Sequence, residues 1–305
     1  MKKIVSLIVA IFSASVMFAQ GDLHLFEVDN KNGFITPDVI EKAFVQNGFK
    51  IAVNSEMNLP FKKQFKKTKF KIYNLLTVHH STLSHDLVRK HPDAGVFTPL
   101  GIGIYQGLNE DTLHVSMLTS EAQAKILDFD DSLLKSIEKE VLKTIRSVMP
   151  NAKHKFSENS LKESRNLVTK YELDLDGEDW EEMREEIELG LENGFKPVGF
   201  VMANYLDFNE ELVEGGNSSP FDFYVTYSIC KLKVIYTVSQ TRPEAAAFAP
   251  CTMMVYKKKD EDKVVIGFPG VYNWMSSARV DNKKTQAILQ KAQDDFEDIL
   301  KEVTE

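Results

Sequence analysis

The stretch FDFYVTYSICKLKVIYTVSQTRPEAAAFAPCTMMVYKKKDEDKVVIGF, from Phe221 to Phe268, repeats the pattern of an earlier stretch, from Phe70 to Met117. Aligned without a gap at an offset of 151 positions, the two are identical at nine of 48 positions. The identical pairs are Phe70/Phe221, Tyr73/Tyr224, Pro92/Pro243, Ala94/Ala245, Phe97/Phe248, Pro99/Pro250, Tyr105/Tyr256, Glu110/Glu261 and Asp111/Asp262. Six of the nine are proline or aromatic residues, and chance rarely aligns so many scarce residues in one register. We therefore interpret the chain as one supersecondary unit built twice.

The N-terminus has the pattern of an export signal. Lys2 and Lys3 precede an apolar run, Ile4–Phe18, and Ala19 ends a plausible cleavage site. A helix of that length rises only about 22 Å, whereas the hydrocarbon core of a bilayer is ~30 Å thick. The pattern predicts a signal peptide over residues 1–19, with an uncleaved anchor as the alternative. We expect a periplasmic or secreted protein that has no transmembrane span after processing.

The composition is that of a globular, acidic chain. Its 305 residues leave room for two domains of ordinary size, and 43% of them are apolar and 27% charged. The formal net charge is −8, and it becomes −10 once the two lysines of residues 1–19 are removed. An exported chain of this charge is a poor nucleic-acid binder, so we expect no nucleic-acid partner.

Both halves predict the same order of elements, namely a strand, a helix, four strands and a final helix. The predicted fold is α+β with two tandem domains, each β-α-β(4)-α, in which helices cover one face of an antiparallel sheet. The apolar pattern lapses after Pro150. We therefore place a first repeat domain at 22–148, a linker at 149–165 and a second repeat domain at 166–305.

Leu232–Gln240 can be interpreted in two ways. Its β-branched residues favour a strand, whereas alignment with the helical pattern of Thr82–Lys90 favours a helix. We predict a helix, because tertiary context commonly overrides propensity.

The offset between the repeats is predicted to change once. Asn193-Gly194-Phe195 matches Asn47-Gly48-Phe49 as a helix stop followed by a strand, at an offset of 146. The offset of 151 from Phe221 onward then implies that five residues were gained or lost, and we place them in the loop Glu214–Pro220.

Two charged segments allow alternative interpretations. Six lysines between Lys62 and Lys71 form a basic surface for an anionic membrane or acidic partner, or the solvated face of a helix that docks Phe61 and Phe65. The acidic residues of 174–188 form a cation site or the solvated first turns of a helix. The two segments can also face each other across a domain interface or the interface of a homodimer.

Pro250-Cys251, with Cys230 before it and Val255-Tyr256 after it, resembles the bacterial family called domain of unknown function 302. The family has Cys-Asn-Pro near the end of one strand and, about twenty residues later, Pro-Cys opening a strand that closes on Val-Tyr. Here the cysteines are 21 positions apart, and Lys231-Leu232 replaces Asn-Pro.

The first repeat keeps part of this pattern. Pro99, Ile104 and Tyr105 match, whereas His79 and Leu100 stand in place of the cysteines. The resemblance implies a compact α+β fold in each half, of strand, helix, four strands and helix. It implies no activity, and the cofactor is unknown.

The cysteine pair has several possible roles. In an oxidising compartment Cys230 and Cys251 are predicted to form a structural disulfide. The alternatives are two buried apolar side chains or a redox or metal site. No Cys-x-x-Cys is present, which argues against thioredoxin-like chemistry.

Histidine is concentrated in the first repeat, and His79 replaces a family cysteine. Both residue types bind zinc, copper or haem iron, so His79, His85 and His114 are candidate metal ligands. The alternative is that they are ordinary strand-end and surface histidines, since no metal-binding spacing occurs in a helical frame.

Motifs of an enzyme are missing from the sequence. There is no nucleophile elbow, phosphate loop or dinucleotide fingerprint. A spatially assembled triad is still compatible with the sequence, so an enzymatic activity stays open. We therefore expect a binding module for a small ligand or a protein partner, held at the sheet faces or between the two units. The alternative is a periplasmic metal-, haem- or thiol-dependent redox protein that uses the cysteine pair and the histidines.

Overall fold

The structure is a computed structural model that describes residues 20–162, 167–214 and 216–305. The predicted signal peptide lies outside the described residues, as does the end of the predicted linker. Within the described ranges no helix combines the length and the apolar character that a membrane span requires.

The first unit is a six-stranded sheet with helices. Its strands lie in the order β2-β3-β4-β5-β1-β6, and every neighbouring pair is antiparallel. The strands are β1 (Leu23–Asp29), β2 (Phe49–Glu56), β3 (Phe70–His80), β4 (Leu100–Gly107), β5 (Thr112–Leu118) and β6 (Lys153–Phe156). The helices are α1 (Pro37–Gln46), α2 (Asn58–Phe65), α3 (Leu83–Lys90), the 3₁₀ helix η1 (Pro92–Phe97), α4 (Ser120–Leu127) and α5 (Ser132–Val148).

The second unit repeats this plan with five strands. They lie in the order β7-β11-β10-β9-β8 and are again antiparallel throughout. The strands are β7 (Val168–Asp174), β8 (Val201–Asp207), β9 (Phe221–Cys230), β10 (Cys251–Lys258) and β11 (Lys263–Pro269). The helices are α6 (Trp180–Phe195), α7 (Phe208–Val213), α8 (Leu232–Ser239), the 3₁₀ helix η2 (Pro243–Phe248), α9 (Tyr272–Ser277) and α10 (Lys283–Thr304). The α+β fold with two antiparallel sheets, expected from the sequence, is confirmed.

The structure confirms the helix predicted for Leu232–Gln240. Val234, Ile235 and Val238 are buried on one face of α8, at helical spacing. Burying three apolar side chains against the core is worth several times a propensity difference of a few tenths of a kcal/mol per residue.

Part of the predicted linker belongs to the first sheet. β6 pairs with β1, with Phe26 opposite His154. The two rings stack with their centroids 4.4 Å apart. A segment that is polar in sequence therefore forms an edge strand, because one half-buried ring and a row of backbone hydrogen bonds are enough to dock it.

The predicted change of offset is wrong in its position. Gly48 and Gly199 both adopt a left-handed conformation, with φ of +84° and +85°, and they are 151 positions apart. Each precedes a phenylalanine that packs edge-on against the phenylalanine before the glycine, in the pairs Phe44/Phe49 and Phe195/Phe200. The counterpart of Gly48 is therefore Gly199, in the turn that follows α6, whereas Gly194 lies inside α6.

The additional residues lie earlier in the chain than Glu214–Pro220. Leu23 and Val168 begin equivalent strands and are 145 positions apart, whereas the later strands match at 151. The six extra residues account for the length of α6, which has 16 residues where α1 has 10. The acidic segment supplies the additional turns of α6. Acidic side chains are well solvated, so the longer helix does not disturb the sheet.

Each sheet packs against its own helices on one face and against the other unit on the opposite face. A Cβ added at Gly101 or Gly103 of β4 would collide with Ala247 or Ala246 of η2. Reciprocally, a Cβ at Gly95 of η1 would collide with Tyr224 of the second sheet. The two units therefore bury their 3₁₀ helices in each other.

Candidate metal centre

The contact between the units places three metal-ligating side chains together. His79 lies near the end of β3, His85 is in α3, and Glu211 comes from α7 of the second unit. Their ligand atoms all lie within 4.8 Å of one another. Glu211 Oε2 is 2.9 Å from His79 Nε2 and 3.2 Å from His85 Nε2.

Packing holds this cluster in place. The His79 side chain is only 1% exposed, and the ring of Phe208 in α7 lies against both His79 and His85. Arg89 of α3 donates a hydrogen bond of 2.8 Å to the carbonyl oxygen of Leu212. Contacts before and after Glu211 thus hold α7 of the second unit against the first unit.

The electrostatics favour an ionised carboxylate at this position. Burial raises the pKa of Glu211, but hydrogen bonds from His79 and His85 and the charge of Lys50 outweigh it, so the pKa is lowered overall. The Lys50 ammonium lies 3.2 Å from Glu211 Oε2, and its side chain is 40% exposed. It can therefore swing into solvent if another cation takes its place.

The residues fit a divalent transition metal. Two imidazoles and one carboxylate are a common set of protein ligands for zinc and leave one position open. Two ligands each about 2.1 Å from a tetrahedral zinc ion lie roughly 3.4 Å apart, and the observed separations of 2.9 and 3.2 Å are close to that spacing. Both Nε2 atoms would have to give up their protons, because only the neutral nitrogen donates a lone pair to the metal. His79 Nδ1 is buried and has no hydrogen-bond partner among the described residues.

Of the three predicted metal ligands, the structure places His79 and His85 together, whereas His114 lies elsewhere. His114 is opposite Tyr105 in the β4–β5 pair, and Tyr105 is opposite Tyr73 in β3. His79 lies six positions after Tyr73 in β3, which corresponds to about 20 Å along a strand. His114 therefore belongs to the opposite end of the sheet, where it stacks on Tyr105 and pairs with Glu110.

The sequence did not identify Glu211 as a candidate metal ligand. It is one of 45 acidic residues, it belongs to the other repeat, and nothing in its neighbourhood distinguishes it. The residue 151 positions earlier is Pro60, so the repeat provides no hint either.

The predicted disulfide is absent from the structure, in which Cys230 and Cys251 are free thiols. Cys251 is paired with Ile229, one residue before Cys230. The two cysteines are therefore staggered by one residue on adjacent strands, and both line the same cavity as separate thiols. Burial raises the pKa of Cys230 to about 11 and that of Cys251 to about 12, so both thiols stay protonated.

The cavity beside the cysteines is small. Both thiols and Trp274 line a mainly apolar space of about 40 Å³ between the sheet and α10. Such a space holds a water molecule but no larger ligand. The histidine cluster contributes no residue to its lining.

The second repeat has no counterpart of the metal cluster. The positions equivalent to His79 and His85 are Cys230 and Tyr236. Tyr236 instead stacks on Phe65 of the first unit, with ring centroids 3.9 Å apart. The two equivalent contacts between the units therefore differ. The contact at His79 and His85 contains polar metal-ligating groups, whereas the contact at Tyr236 is aromatic packing.

Comparison with known proteins finds one family in the second half of the chain. Residues 180–303 match the family model described as "Domain of unknown function DUF302". A solved structure described as "Crystal structure of uncharacterized conserved protein DUF302 from Bacillus stearothermophilus" is 19% identical, with a TM-score of 0.35. It covers 45% of this chain and 98% of its own. No curated protein matches. A DUF302 domain therefore lies at residues 180–303, and the two similar sheets indicate a second copy in the first half.

Proposed function

We propose that the protein is a binding module that holds a divalent transition-metal ion, with zinc as the best fit, between its two units. The observation that carries the proposal is the convergence of His79, His85 and Glu211 from both units around one point. This proposal gives the expected small ligand a chemical identity and a position.

A metal ion here would bind the folded arrangement of the units and not either unit alone. The first unit supplies two ligands and the second unit supplies one, so binding and the contact between the units reinforce each other. At a free metal concentration 100 times the dissociation constant, a single site adds about 2.7 kcal/mol to the free energy of unfolding. Three protein ligands also leave a fourth position for water or for an atom of a partner.

The redox alternative has less support. It required the cysteine pair and the histidines to act together, but the thiols lie in the core of the second unit, where burial keeps them protonated. The histidines have a carboxylate partner instead, which suits zinc better than a redox centre built on thiolates.

Titration calorimetry and thermal unfolding with zinc chloride, after treatment with a chelator, test the proposal. We expect binding of one zinc ion per chain and a higher melting temperature on zinc addition. Glu211→Gln should weaken zinc binding by at least about tenfold, because it removes the anionic ligand while its amide still accepts a hydrogen bond.

The matched control is Glu214→Gln, which removes a neighbouring exposed acid that also faces Lys50. This variant should bind zinc as the wild-type protein does. Zinc binding that is equally strong in the Glu211→Gln variant, or wild-type protein that takes up no zinc, would contradict the proposal.

A further inference from the structure

A second cleft between the units contains a carboxylate that lacks a cationic partner. The cleft, here called the Glu244 cleft, has a volume of about 420 Å³ and lies where η2 meets the first sheet. The residues that matter for its chemistry are Leu25, Tyr105, Glu110, His114 and Glu244. Its volume is within the range of roughly 300–1,000 Å³ that is usual for small-molecule sites, which favour domain interfaces.

The reciprocal contact between the units provides an internal comparison. Where η1 meets the second sheet, a cleft of about 310 Å³ contains Asp93, Lys170 and Tyr256. The Lys170 ammonium lies 2.7 Å from Asp93 Oδ2, and the Tyr256 hydroxyl donates a hydrogen bond of 3.2 Å to Asp93 Oδ1. This cleft, here called the Asp93 cleft, is already occupied by a primary ammonium group of the protein itself.

The two clefts share an acid and a tyrosine at equivalent positions but differ at the ammonium. Glu244 is equivalent to Asp93 and Tyr105 to Tyr256, both at an offset of 151. The equivalent of Lys170, at the offset of 145 that holds for β1 and β7, is Leu25. Leu25 lines the Glu244 cleft, so an apolar side chain stands where the other cleft has its cation.

The charged groups near Glu244 have other partners. The Lys69 ammonium donates a hydrogen bond to the carbonyl oxygen of Gln240, and the Lys155 ammonium lies 2.7 Å from Glu27. His114 is hydrogen-bonded to Glu110. Across the described part of the chain, no ion pair within 4.0 Å involves Glu244. Arg242 donates a hydrogen bond of 2.8 Å to the carbonyl oxygen of Arg279. Burial raises the pKa of the Glu244 carboxyl by more than the nearby charges of Arg242, His114 and Lys69 lower it.

We infer that the Glu244 cleft binds a small organic ligand through a primary ammonium group, which takes the position that Lys170 occupies in the other cleft. Glu244 receives the ammonium group, and the Tyr105 hydroxyl lies on the same side of the sheet to assist it. The Leu25 side chain and the Tyr105 ring contact the hydrocarbon part of the ligand. The Glu110 and His114 pair offers further polar contacts to a ligand with a second functional group. This site shares no residue with the proposed metal centre.

Titration calorimetry of the full chain with n-butylammonium chloride at low ionic strength tests the inference, with n-butanol as an uncharged probe of the same shape. We expect saturable binding of n-butylammonium and binding of n-butanol that is weaker by at least about tenfold. Glu244→Gln, which is isosteric, should weaken n-butylammonium binding by a similar factor. Leu25→Lys should also remove binding, and should raise the melting temperature, because the new ammonium would fill the cleft as Lys170 fills the other one.

Asp93→Asn is the matched control, because it changes the equivalent acid of the Asp93 cleft and should leave n-butylammonium binding unchanged. Equal affinity for the charged and uncharged probes would overturn the inference. So would undiminished binding in the Glu244→Gln variant with its melting temperature preserved, or a lack of saturable binding up to about 10 mM probe.

Discussion

Asp131 shows how a single buried carboxylate connects elements of the first unit. It caps the N-terminus of α5 by accepting a hydrogen bond of 2.9 Å from the Leu133 amide. It also accepts hydrogen bonds from Lys90 and His91 at the end of α3. The amide of Leu133 and then these two side chains hold the pKa of Asp131 well below its usual range.

The depressed pKa of Asp131 predicts a contribution to stability that depends on pH. Because the folded pKa lies below the unfolded one, the contribution is complete above the unfolded pKa of about 4 and is lost as the pH falls through the folded pKa. Asp131→Asn keeps a capping side chain but removes the charge, so we expect a loss of about 1 kcal/mol at neutral pH. Denaturant unfolding should also show a weaker dependence on pH between about pH 5 and 2.

The control for this prediction is Asp130→Asn. Among the described residues Asp130 pairs with Lys135 alone, and both side chains are more than 60% exposed, so its removal should change little. Equal effects of the two substitutions would show that Asp131 does not connect α3 and α5 as described.

The raised thiol pKa values predict that Cys230 and Cys251 react slowly. Thiolate is the reactive form, and at pH 8 a thiol with a pKa near 11 or 12 is almost entirely protonated. Iodoacetamide should therefore leave both cysteines unmodified in the native protein and should alkylate both in denaturant without a reductant, as read by intact mass. Resistance to alkylation in denaturant until a reductant is added would establish the disulfide that the structure lacks.

At the scale of elements, the repeats are most alike where the backbone requires glycine. Gly48 and Gly199 both adopt the left-handed conformation in the turn between the first helix and the second strand of each unit. A side chain costs about 1–2 kcal/mol in that conformation, whereas glycine has no such cost. The neighbouring helices differ in length, yet the junction that follows them is the same.

Gly199→Ala should lower the free energy of unfolding by about 1 kcal/mol. No atom lies within 4 Å of the added Cβ, so the loss would come from the backbone conformation and not from a collision. Gly199→Asn is the comparison, because asparagine tolerates this region better and should lose less. Equal losses for alanine and asparagine in chemical denaturation would contradict this explanation.

For the whole molecule, the reciprocal contacts of η1 and η2 make the two units one folding system. Each 3₁₀ helix lies against the sheet of the other unit, and Thr252 of β10 donates a hydrogen bond of 3.2 Å to the carbonyl oxygen of Pro99. The glycines of β4 allow the close approach on the other side, because they leave room for the η2 backbone.

Gly101→Ala tests this contact. The new Cβ would lie 2.6 Å from the Ala247 carbonyl oxygen, a backbone atom that cannot move aside cheaply, so we expect a loss of about 1–3 kcal/mol in denaturant unfolding. Gly267→Ala is the control, because there the nearest atom, also at 2.6 Å, is the flexible end of Met254. A smaller loss at Gly101 than at Gly267 would show that the units are not tightly packed at this point.

Much of the architecture followed from local patterns. The duplication, the α+β class and the helix over Leu232–Ser239 were all predicted from the sequence. The sequence also offered His79 and His85 as candidate ligands, and the structure places them side by side. The sequence did not predict the β6 strand or the position of the inserted residues. A short polar edge strand and a longer acidic helix show no distinctive periodicity of apolar residues.

The sequence by itself established two similar units. Apolar spacing, prolines and glycines determine the conformation of a few neighbouring residues, so their effect can be recognised in the sequence. The partners of particular side chains were decided by folding. Glu211 meets His79 across 132 positions, and Glu244 has no ion-pair partner among the described residues because Leu25 replaces a lysine. Each of these outcomes depends on which faces the two units turn towards each other, and that arrangement is set by packing between residues that are distant in sequence.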